Sequence, residues 1–308
     1  MSSNYVKRFN DNPIIRPGMK GLEGDKGQNI NGPSLIKVPD WVNNPLGKYY
    51  LYFAHHGGNY IRLAYAEQLK GPWEIYQPGT LHLDQTVCDS HVASPDVHID
   101  NDNKEILMYF HGPSNTEGVY EEHGQLTYLA TSDDGINFTA HSEVIAPFYF
   151  KRFKHQDCYY GIAKNRNTGG LIARSKDPGT KFEFGKNFID NMRHATVLKK
   201  GNQLYVFYSR MRDKPERILM SKVELNQDWL KWEPSAPLEI MRPQKEYEGI
   251  NQPLKESRPG GRSNPVHELR DPEIYEENGD LYLFYSVAGE QGIALAEVFF
   301  DKIKNDIF

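Results

Sequence analysis

The segment QLYVFYS at residues 203–209 decides the fold, because close variants of it recur along the chain. The related segments are KYYLYFA at 48–54, EILMYFH at 105–111, CYYGIA at 158–163 and DLYLFYS at 280–286. Each is too short for a helix, is rich in strand-favouring aromatic residues, and is bounded by Gly, Asn or Asp. The chain therefore repeats one kind of β-strand five times.

Each repeated strand has companions on both sides, and their order is that of a propeller blade. Apolar strands precede it at 34–38, 95–99, 149–153, 195–199 and 272–275. Amphipathic strands follow it at 60–66, 125–131, 169–175, 216–222 and 291–297, with polar edge strands at 73–76, 137–141, 181–184 and 229–233. A supersecondary unit repeated at this spacing predicts an all-β fold, a five-bladed β-propeller with four-stranded blades round a central funnel.

We expect one domain over residues 1–308. The blades are predicted at about 30–80, 91–142, 147–187, 191–234 and 266–300. The fifth has no fourth strand of its own, so the segment near 5–9 is expected to complete it and close the ring. A β-sandwich, or two of them, is the alternative that the fivefold repeat disfavours. No helix longer than a turn near 226–230 is predicted.

The interval 234–265 breaks the repeat, with several Pro, Gly and charged residues. We interpret it as a long connection between blades 4 and 5. A long irregular connection in a compact domain is often functional, but a solvated surface loop explains the composition equally well.

Composition limits the kinds of partner. The formal net charge of −5 argues against a nucleic-acid partner, since phosphate binding needs a basic face. No apolar run is long enough to span a bilayer, so no membrane partner is expected.

Residues 1–10 contain no secretory signal, which predicts a cytoplasmic protein, or a periplasmic or secreted one if a signal was trimmed. Cys88 and Cys158 are expected to be reduced thiols. The oligomeric state is left open.

Five polar windows should meet at one end of the funnel, because the inner strands of all blades begin there. They are residues 31–34, 91–96, 149–153, 191–194 and 268–272. Together they carry carboxylates, arginines and histidines, which are costly to bury unless they are paired or used. Converging acids and bases in a pocket favour a catalytic site, and ion pairs between blades are the structural alternative.

The candidate catalytic residues are Asp96, Asp271, Glu268 and His194. The two aspartates each lie beside a proline at the mouth of an inner strand, and a histidine can exchange a proton near neutral pH. The candidate substrate-binding residues are Asn31, Ser34, His55, His56, His91, Arg152, Arg193 and Arg270. No cofactor and no catalytic metal are expected, because the histidine spacings match no ligand motif, and a structural calcium ion in the funnel has no support from the sequence.

Several phrases resemble the five-bladed propeller glycoside hydrolases, a broad group that includes families 43, 32, 68, 117 and 130. These phrases are GKYYLY at 47–52, Gly71-Pro72-Trp73, Ser94-Pro95-Asp96-Val97 and Arg270-Asp271-Pro272. The resemblance covers nearly the whole chain. It implies carboxylate-based acid–base catalysis on a glycoside in the funnel, in carbohydrate metabolism and polysaccharide degradation.

The resemblance carries over only in part. Asp96 matches the blade 2 aspartate of family 43, which tunes and orients the acid. The window 31–34 stands where that family has its base and contains no acid, and blade 3 has Lys151 and Arg152 where the family has its acid. Family 117 is thought to use a histidine as acid, and His194 is the candidate for that role.

The leading hypothesis is a glycoside hydrolase, exo-acting on a small or terminal sugar, with acidic sugars among the candidates. Asp96, Asp271 and Glu268 would supply the base and the stabilising carboxylates, and His194 or Glu268 the acid. A glycoside phosphorylase or a polysaccharide lyase could use the same pocket, with phosphate or a uronate held by the basic windows. A non-catalytic carbohydrate-binding propeller is the third hypothesis, supported by the missing acid in blade 1.

Overall fold

The structure, a computed structural model, describes residues 5–114 and 124–307. The chain forms five antiparallel sheets in a ring, a five-bladed β-propeller, which confirms the predicted fold class. The described residues contain no helix that is long and apolar enough to cross a membrane.

The blades follow one another along the chain, and the strands of each blade succeed one another from the axis outward. Blade 1 comprises β2 (Asn31–Lys37), β3 (Tyr49–Ala54), β4 (Arg62–Ala66) and β5 (Glu74–Tyr76). Blade 2 comprises β6 (Ala93–Asp100), β7 (Glu105–Gly112) and β8 (Leu126–Ser132), with β9 (Thr139–Ala140) and β10 (Ala146–Pro147) both on the outer edge of β8. Blade 3 comprises β11 (Lys151–His155), β12 (Cys158–Asn165), β13 (Gly169–Ser175) and β14 (Glu183–Asp190). Blade 4 comprises β15 (Met192–Lys200), β16 (Gln203–Arg210), β17 (Ile218–Glu224) and β18 (Leu238–Met241). Blade 5 comprises β19 (Arg270–Glu277), β20 (Asp280–Ser286), β21 (Ile293–Val298) and, from the other end of the chain, β1 (Val6–Arg8).

The ring is closed by β1, which pairs antiparallel with β21. Val6 lies opposite Val298, and Arg8 lies opposite Ala296. Arg8 also donates to the buried Glu248 of the blade 4–5 connection, at 2.6 Å from Nε to Oε1. The pairing covers an edge of β21 that would otherwise be open.

The fourth strand of blade 4 is not where the sequence predicted it. Residues 229–233 contain a 3₁₀ turn, Trp229–Lys231, in which the backbone N–H of Leu230 donates to the side chain of Asp228. The turn buries Trp229 and Trp232 against blades 3 and 4, which an extended edge strand could not do for both. The outer strand is β18, inside the interval expected to be irregular.

A short helix, α1 (Phe300–Ile307), follows the last strand and was not predicted. Ile303 is fully buried, and the ring of Phe300 packs edge-on against Tyr205 at 4.7 Å between centroids. Docking of these two side chains onto blades 4 and 5 stabilises a segment too short to be helical alone.

Candidate active site

The inner strands share a backbone irregularity at their mouths. In blades 1, 2, 4 and 5 the pairing of the inner strand with its neighbour shifts register near the start of the inner strand, between Asn31 and Ser34, Ala93 and Asp96, Met192 and Ala195, and Arg270 and Glu273. Gly32, Ser94 and Asp271, each followed by proline, have φ of 61°, 46° and 47°. Such φ values are uncommon for residues other than glycine, and bulges that re-aim side chains are common beside active sites.

A recess lies on the axis at these bulges, and all five blades contribute to it. It is lined by Gly32, Pro33, Ser94, Pro95, Tyr149, Phe150, Lys151, His194, Ala195, Asp271 and Pro272. The predicted residues Asp271 and His194 therefore meet, although they are far apart in sequence. His194 Nδ1 contacts Asp271 Oδ1 directly.

Asp271 is held by further contacts to its second oxygen. Ser286 Oγ donates to Oδ2 at 2.8 Å, and the backbone N–H of Gly32 donates to the same atom at 3.2 Å. Burial raises the pKa of Asp271, but His194, the Ser286 hydroxyl and Arg270 together hold it well below the ordinary value. Asp271 is a carboxylate at neutral pH.

His194 is set up as a proton acceptor. Burial lowers its pKa, although Asp271 acts in the opposite direction. An ionised carboxylate can only accept, so Nδ1 of the neutral ring carries the proton that faces Asp271. Among the residues that the structure describes, Nε2 has no hydrogen-bond partner, so its lone pair can accept a proton from a substrate or water, as base catalysis by histidine requires.

Tyr149 fills the side of the recess next to His194. Its ring packs edge-on against His194 at 4.0 Å and against His111 at 4.4 Å between centroids. The free space in the recess is about 20 Å³, enough for one water molecule, so a sugar ring enters only when a lining side chain moves. Phe150, the other aromatic side chain that lines the recess, is 2% exposed and packs against Tyr109 and Phe182. Tyr149 is partly exposed, and within the described part of the chain its hydroxyl has no hydrogen-bond partner, so we expect Tyr149 to be the side chain that a sugar displaces.

Below the recess, one side chain from each inner strand forms a polar cluster that we call the axial plug. Its members are Ser34, Asp96, Lys151, Thr196 and Glu273. Lys151 Nζ lies 3.2 Å from Asp96 Oδ1 and 3.1 Å from Glu273 Oε2. Thr196 donates to Glu273 at 3.1 Å, and Ser34 donates to it at 3.4 Å. The plug joins all five blades and closes the axis under the recess.

Asp96, a predicted catalytic residue, belongs to the plug and does not line the recess. Besides Lys151, it contacts His98 Nε2 at 2.7 Å and accepts from the backbone N–H of Arg152 at 2.9 Å. Burial raises the pKa of Asp96, but His98 and Lys151 hold it well below its ordinary value. These contacts suit a structural ion pair, and the catalytic role of Asp96 stays a prediction.

We expect Asp96→Asn to lower the free energy of unfolding at pH 7 by about 3 kcal/mol, because Lys151 loses a buried partner. The folded-state pKa of Asp96 is depressed, so its stabilisation is present above the ordinary pKa of 3.8 and is lost as pH falls below it. The difference in free energy of unfolding between wild type and variant, measured by urea unfolding, should therefore become smaller between pH 6 and pH 3. Asp102→Asn, at an exposed carboxylate, is the matched control. A stable but inactive Asp96→Asn would instead support the catalytic role of Asp96.

Glu268, Arg193 and Arg270 lie in a second buried network, beside the recess. Arg193 Nε pairs with Glu216 at 2.8 Å, and Arg270 contacts Glu268 and pairs with Glu290 at 2.8 Å. Both arginines also donate to the backbone carbonyl of Gly260, at 3.5 and 3.2 Å. Arg193 and Arg270 thus bind the connection at 257–262 to blades 4 and 5. Their contact with a substrate, and the catalytic role of Glu268, stay predictions.

The predicted histidines lie at the mouth of the funnel. His56 and His91 stack at 6.4 Å between ring centroids, and burial lowers the pKa of His91 and of the neighbouring His55. The backbone of Gly261 packs against the ring of His56, so the connection at 257–262 reaches across to blade 1. These side chains surround the entrance rather than the floor of the recess.

The other predicted binding residues lie apart from Asp271. Asn31 donates to Asn29 Oδ1 at 2.7 Å, and Ser34 is in the plug. Arg152 lies over the rings of Tyr109 and Tyr159, at 5.6 and 5.0 Å from their centroids, on the far side of the plug. Among the residues that the structure describes, no group of three or more His, Cys, Asp or Glu side chains is arranged to hold a metal ion.

Sequence reasoning missed Tyr149, Lys164 and Glu273 as site residues. Aligning the windows at their prolines would have found Glu273, which follows Asp271-Pro272 as Asp96 follows Ser94-Pro95. The blade 3 window has no proline, so the equivalence of Tyr149 with Ser94 and Asp271 emerges only from their shared positive φ in the structure. Lys164 gives no such signal, since it follows an ordinary apolar strand.

Comparison with known proteins identifies the family and supports the fold. No protein-family model matches the chain. The uncharacterized protein R118 of Acanthamoeba polyphaga mimivirus is 35% identical, over 96% of this chain and 90% of that protein. The chain belongs to the family of that protein.

Solved structures share the architecture at low sequence identity. A glycosyl hydrolase from Bacteroides ovatus has a TM-score of 0.65 and 11% identity, covering 96% of this chain and 94% of that one. A GH43 β-xylosidase/α-arabinofuranosidase from a compost microbial metagenome, in complex with xylotriose, has a TM-score of 0.60 and 14% identity, covering 95% and 94%. A GH43_1 enzyme from Xanthomonas citri, complexed with xylose, has a TM-score of 0.58 and 14% identity, covering 88% and 87%. At these identities the likeness confirms the propeller fold.

Proposed function

We propose that the protein is a glycoside hydrolase that acts on a terminal sugar bound in the axial recess. The observation that carries the proposal is the contact between Asp271 and His194 at the point where all five blades meet. The structural neighbours that are glycoside hydrolases make carbohydrate the favoured substrate class. Because the sequence identity to these neighbours is low, the reaction is inferred from the residues of the recess itself.

His194 would move the proton in this reaction. Its Nε2 would take a proton from water as the water oxygen attacks the anomeric carbon, and Asp271 would stabilise the imidazolium that forms. The glycosidic bond breaks, the departing sugar oxygen takes a proton from water at the mouth of the funnel, and the imidazolium then returns its proton to solvent. Asp271 would thereby hold the ring in one tautomer, and its low pKa keeps it charged throughout.

The axial plug favours exo-action. Lys151, Asp96 and Glu273 close the axis beneath the recess, so a saccharide chain cannot pass through the propeller. A sugar would have to enter end-on from the histidine-lined mouth. A chain end, or a small glycoside, is the substrate that fits this geometry.

Elimination is the second candidate, because among the described residues Asp271 is the one carboxylate that lines the recess. Carboxylate-based hydrolysis ordinarily uses two. His194 would supply the base, and Tyr149, whose ring packs against His194, would supply a hydroxyl as proton donor, so that no second carboxylate is needed.

A panel of nitrophenyl glycosides and oligosaccharides, including uronides, tests these proposals with the intact protein. Free reducing sugar released without added phosphate is the expected result. A strict need for inorganic phosphate would show a phosphorylase, and a product absorbing in the ultraviolet would show a lyase. Saturable binding without turnover across the panel would contradict all three enzymes and leave a carbohydrate-binding propeller.

A further inference from the structure

Two lysines of blade 3 lie close to the axis, and they differ in one respect. Lys151 has two carboxylate partners, Asp96 and Glu273, and their attraction outweighs burial and raises its pKa. Lys164 is 3% exposed, yet within the described part of the chain no carboxylate lies within ion-pair distance of it. A buried ammonium without a partner is costly, and such a group in a native protein calls for an explanation.

The surroundings of Lys164 are aromatic and basic. Its Nζ lies over the rings of Phe148 and Tyr149, at 5.3 and 5.1 Å from their centroids. Burial, and then repulsion from Arg193, lower its pKa to about 7. Attraction from Glu216 and Asp271 only partly offsets these effects, and Arg270 adds repulsion.

The glutamates near Lys164 already have arginine partners. Arg193 pairs with Glu216, and Arg270 pairs with Glu268 and Glu290. Nearby His111 and His194 have pKa values lowered by burial and so add no positive charge at neutral pH. Lys164 is therefore the basic group of this region that has no acidic partner within ion-pair distance, as far as the described residues show.

Tyr149 is the side chain that separates Lys164 from the recess. It lines the recess, it lies under the ammonium, and it is the large side chain expected to move when a sugar enters. Its displacement would bring Lys164 Nζ to the wall of the recess, on the side of His194. A ligand group placed there would meet an unpaired ammonium.

We propose that Lys164 binds an oxyanion of the ligand in the recess, so that the preferred ligand is an acidic sugar carrying a carboxylate or a sulfate. This inference rests on the proposed function for the location of the sugar, but it concerns binding and not turnover. Inorganic phosphate shares the same chemistry and is the other source of such a group.

Isothermal titration calorimetry on the intact protein tests this inference without any need for catalysis. The probes are glucuronate, galacturonate, galactose 6-sulfate and inorganic phosphate, each compared with uncharged glucose and galactose. Titrations at pH 7 in two buffers of different ionisation enthalpy measure proton uptake. Because burial lowers the pKa of Lys164 to about 7, part of the population is unprotonated at that pH, and binding an anion should be accompanied by a measurable uptake of protons.

Variants assign the effect to Lys164. We expect Lys164→Met to lower affinity for the anionic probe at least about tenfold and to abolish proton uptake, while Lys164→Arg keeps the affinity without uptake. Lys154→Met removes an exposed lysine of the same blade and should change neither the affinity for the anionic probe nor the proton uptake. Phosphate binding with no acidic-sugar binding would assign the site to phosphate and overturn the acidic-sugar assignment.

The inference and the proposed function fail in different ways. If acidic sugars bind with proton uptake but are never cleaved, the result supports the proposed role of Lys164 and contradicts the proposed hydrolase activity. Neutral glycosides cleaved as well as uronides, with Lys164→Met unchanged in affinity, would support the hydrolase and overturn the role of Lys164. Absence of binding by every anionic probe would overturn it as well.

Discussion

Replacing Asp271 by Asn should lower kcat on the best glycoside substrate about 10³-fold, and should also lower the free energy of unfolding at pH 7 by about 3 kcal/mol, as for Asp96→Asn, because a buried carboxylate with a depressed pKa is lost. The carboxylate holds Nδ1–H of His194 and faces the imidazolium that forms during the reaction. An Asn amide can present its own N–H to Nδ1, which favours the wrong tautomer and leaves the developing charge unopposed. Asn tolerates the left-handed φ of 47° at this position, so the substitution adds little backbone strain.

Steady-state kinetics and thermal unfolding on the same preparations measure this prediction. Asp102→Asn, which changes an exposed aspartate of blade 2, is the control and should match wild type in kcat and in thermal stability. His194→Gln should fall to a similar rate as Asp271→Asn, and the double variant should be no worse than either, since the two act as a unit. If Asp271→Asn kept more than a tenth of wild-type kcat, the proposed role of the pair would be wrong.

Replacing Arg270 by Met should destabilise the protein by about 3–5 kcal/mol. Arg270 is fully buried between Glu268, Glu290 and Glu216, and it also donates to the Gly260 carbonyl. Removing one guanidinium leaves these carboxylates without their central partner in a site that water does not reach. For a domain of this size the loss corresponds to a fall in Tm on the order of 10 °C.

Differential scanning calorimetry and urea unfolding check the result at pH 7. Arg258→Met is the matched control, because its side chain is on the exposed face of the same connection. It should stay within about 0.5 kcal/mol of wild type. A well-folded Arg270→Met with unchanged Tm but much weaker sugar binding would instead support the substrate contact that the sequence predicted for Arg270.

The sequence determined the fold because each blade is encoded locally. The aromatic strand QLYVFYS and its variants carry their own strand preference and turn residues, so the repeat is visible without any long-range contact. Exceptions arose where tertiary packing decided the outcome. Trp229 and Trp232 fold into a turn because both can be buried, and Phe300 begins a helix because it docks on Tyr205.

The sequence also determined which windows meet at the axis, since strand order fixes where each blade begins. It could not determine the partner of each charge in those windows. Asp96 and Asp271 look alike beside their prolines, yet Lys151 and His98 pair with the first while the second faces His194 in the recess. Pairing depends on distances across the ring, which join residues remote in sequence. Only the tertiary structure could therefore separate the charges that hold the blades together from Asp271 and His194 in the recess.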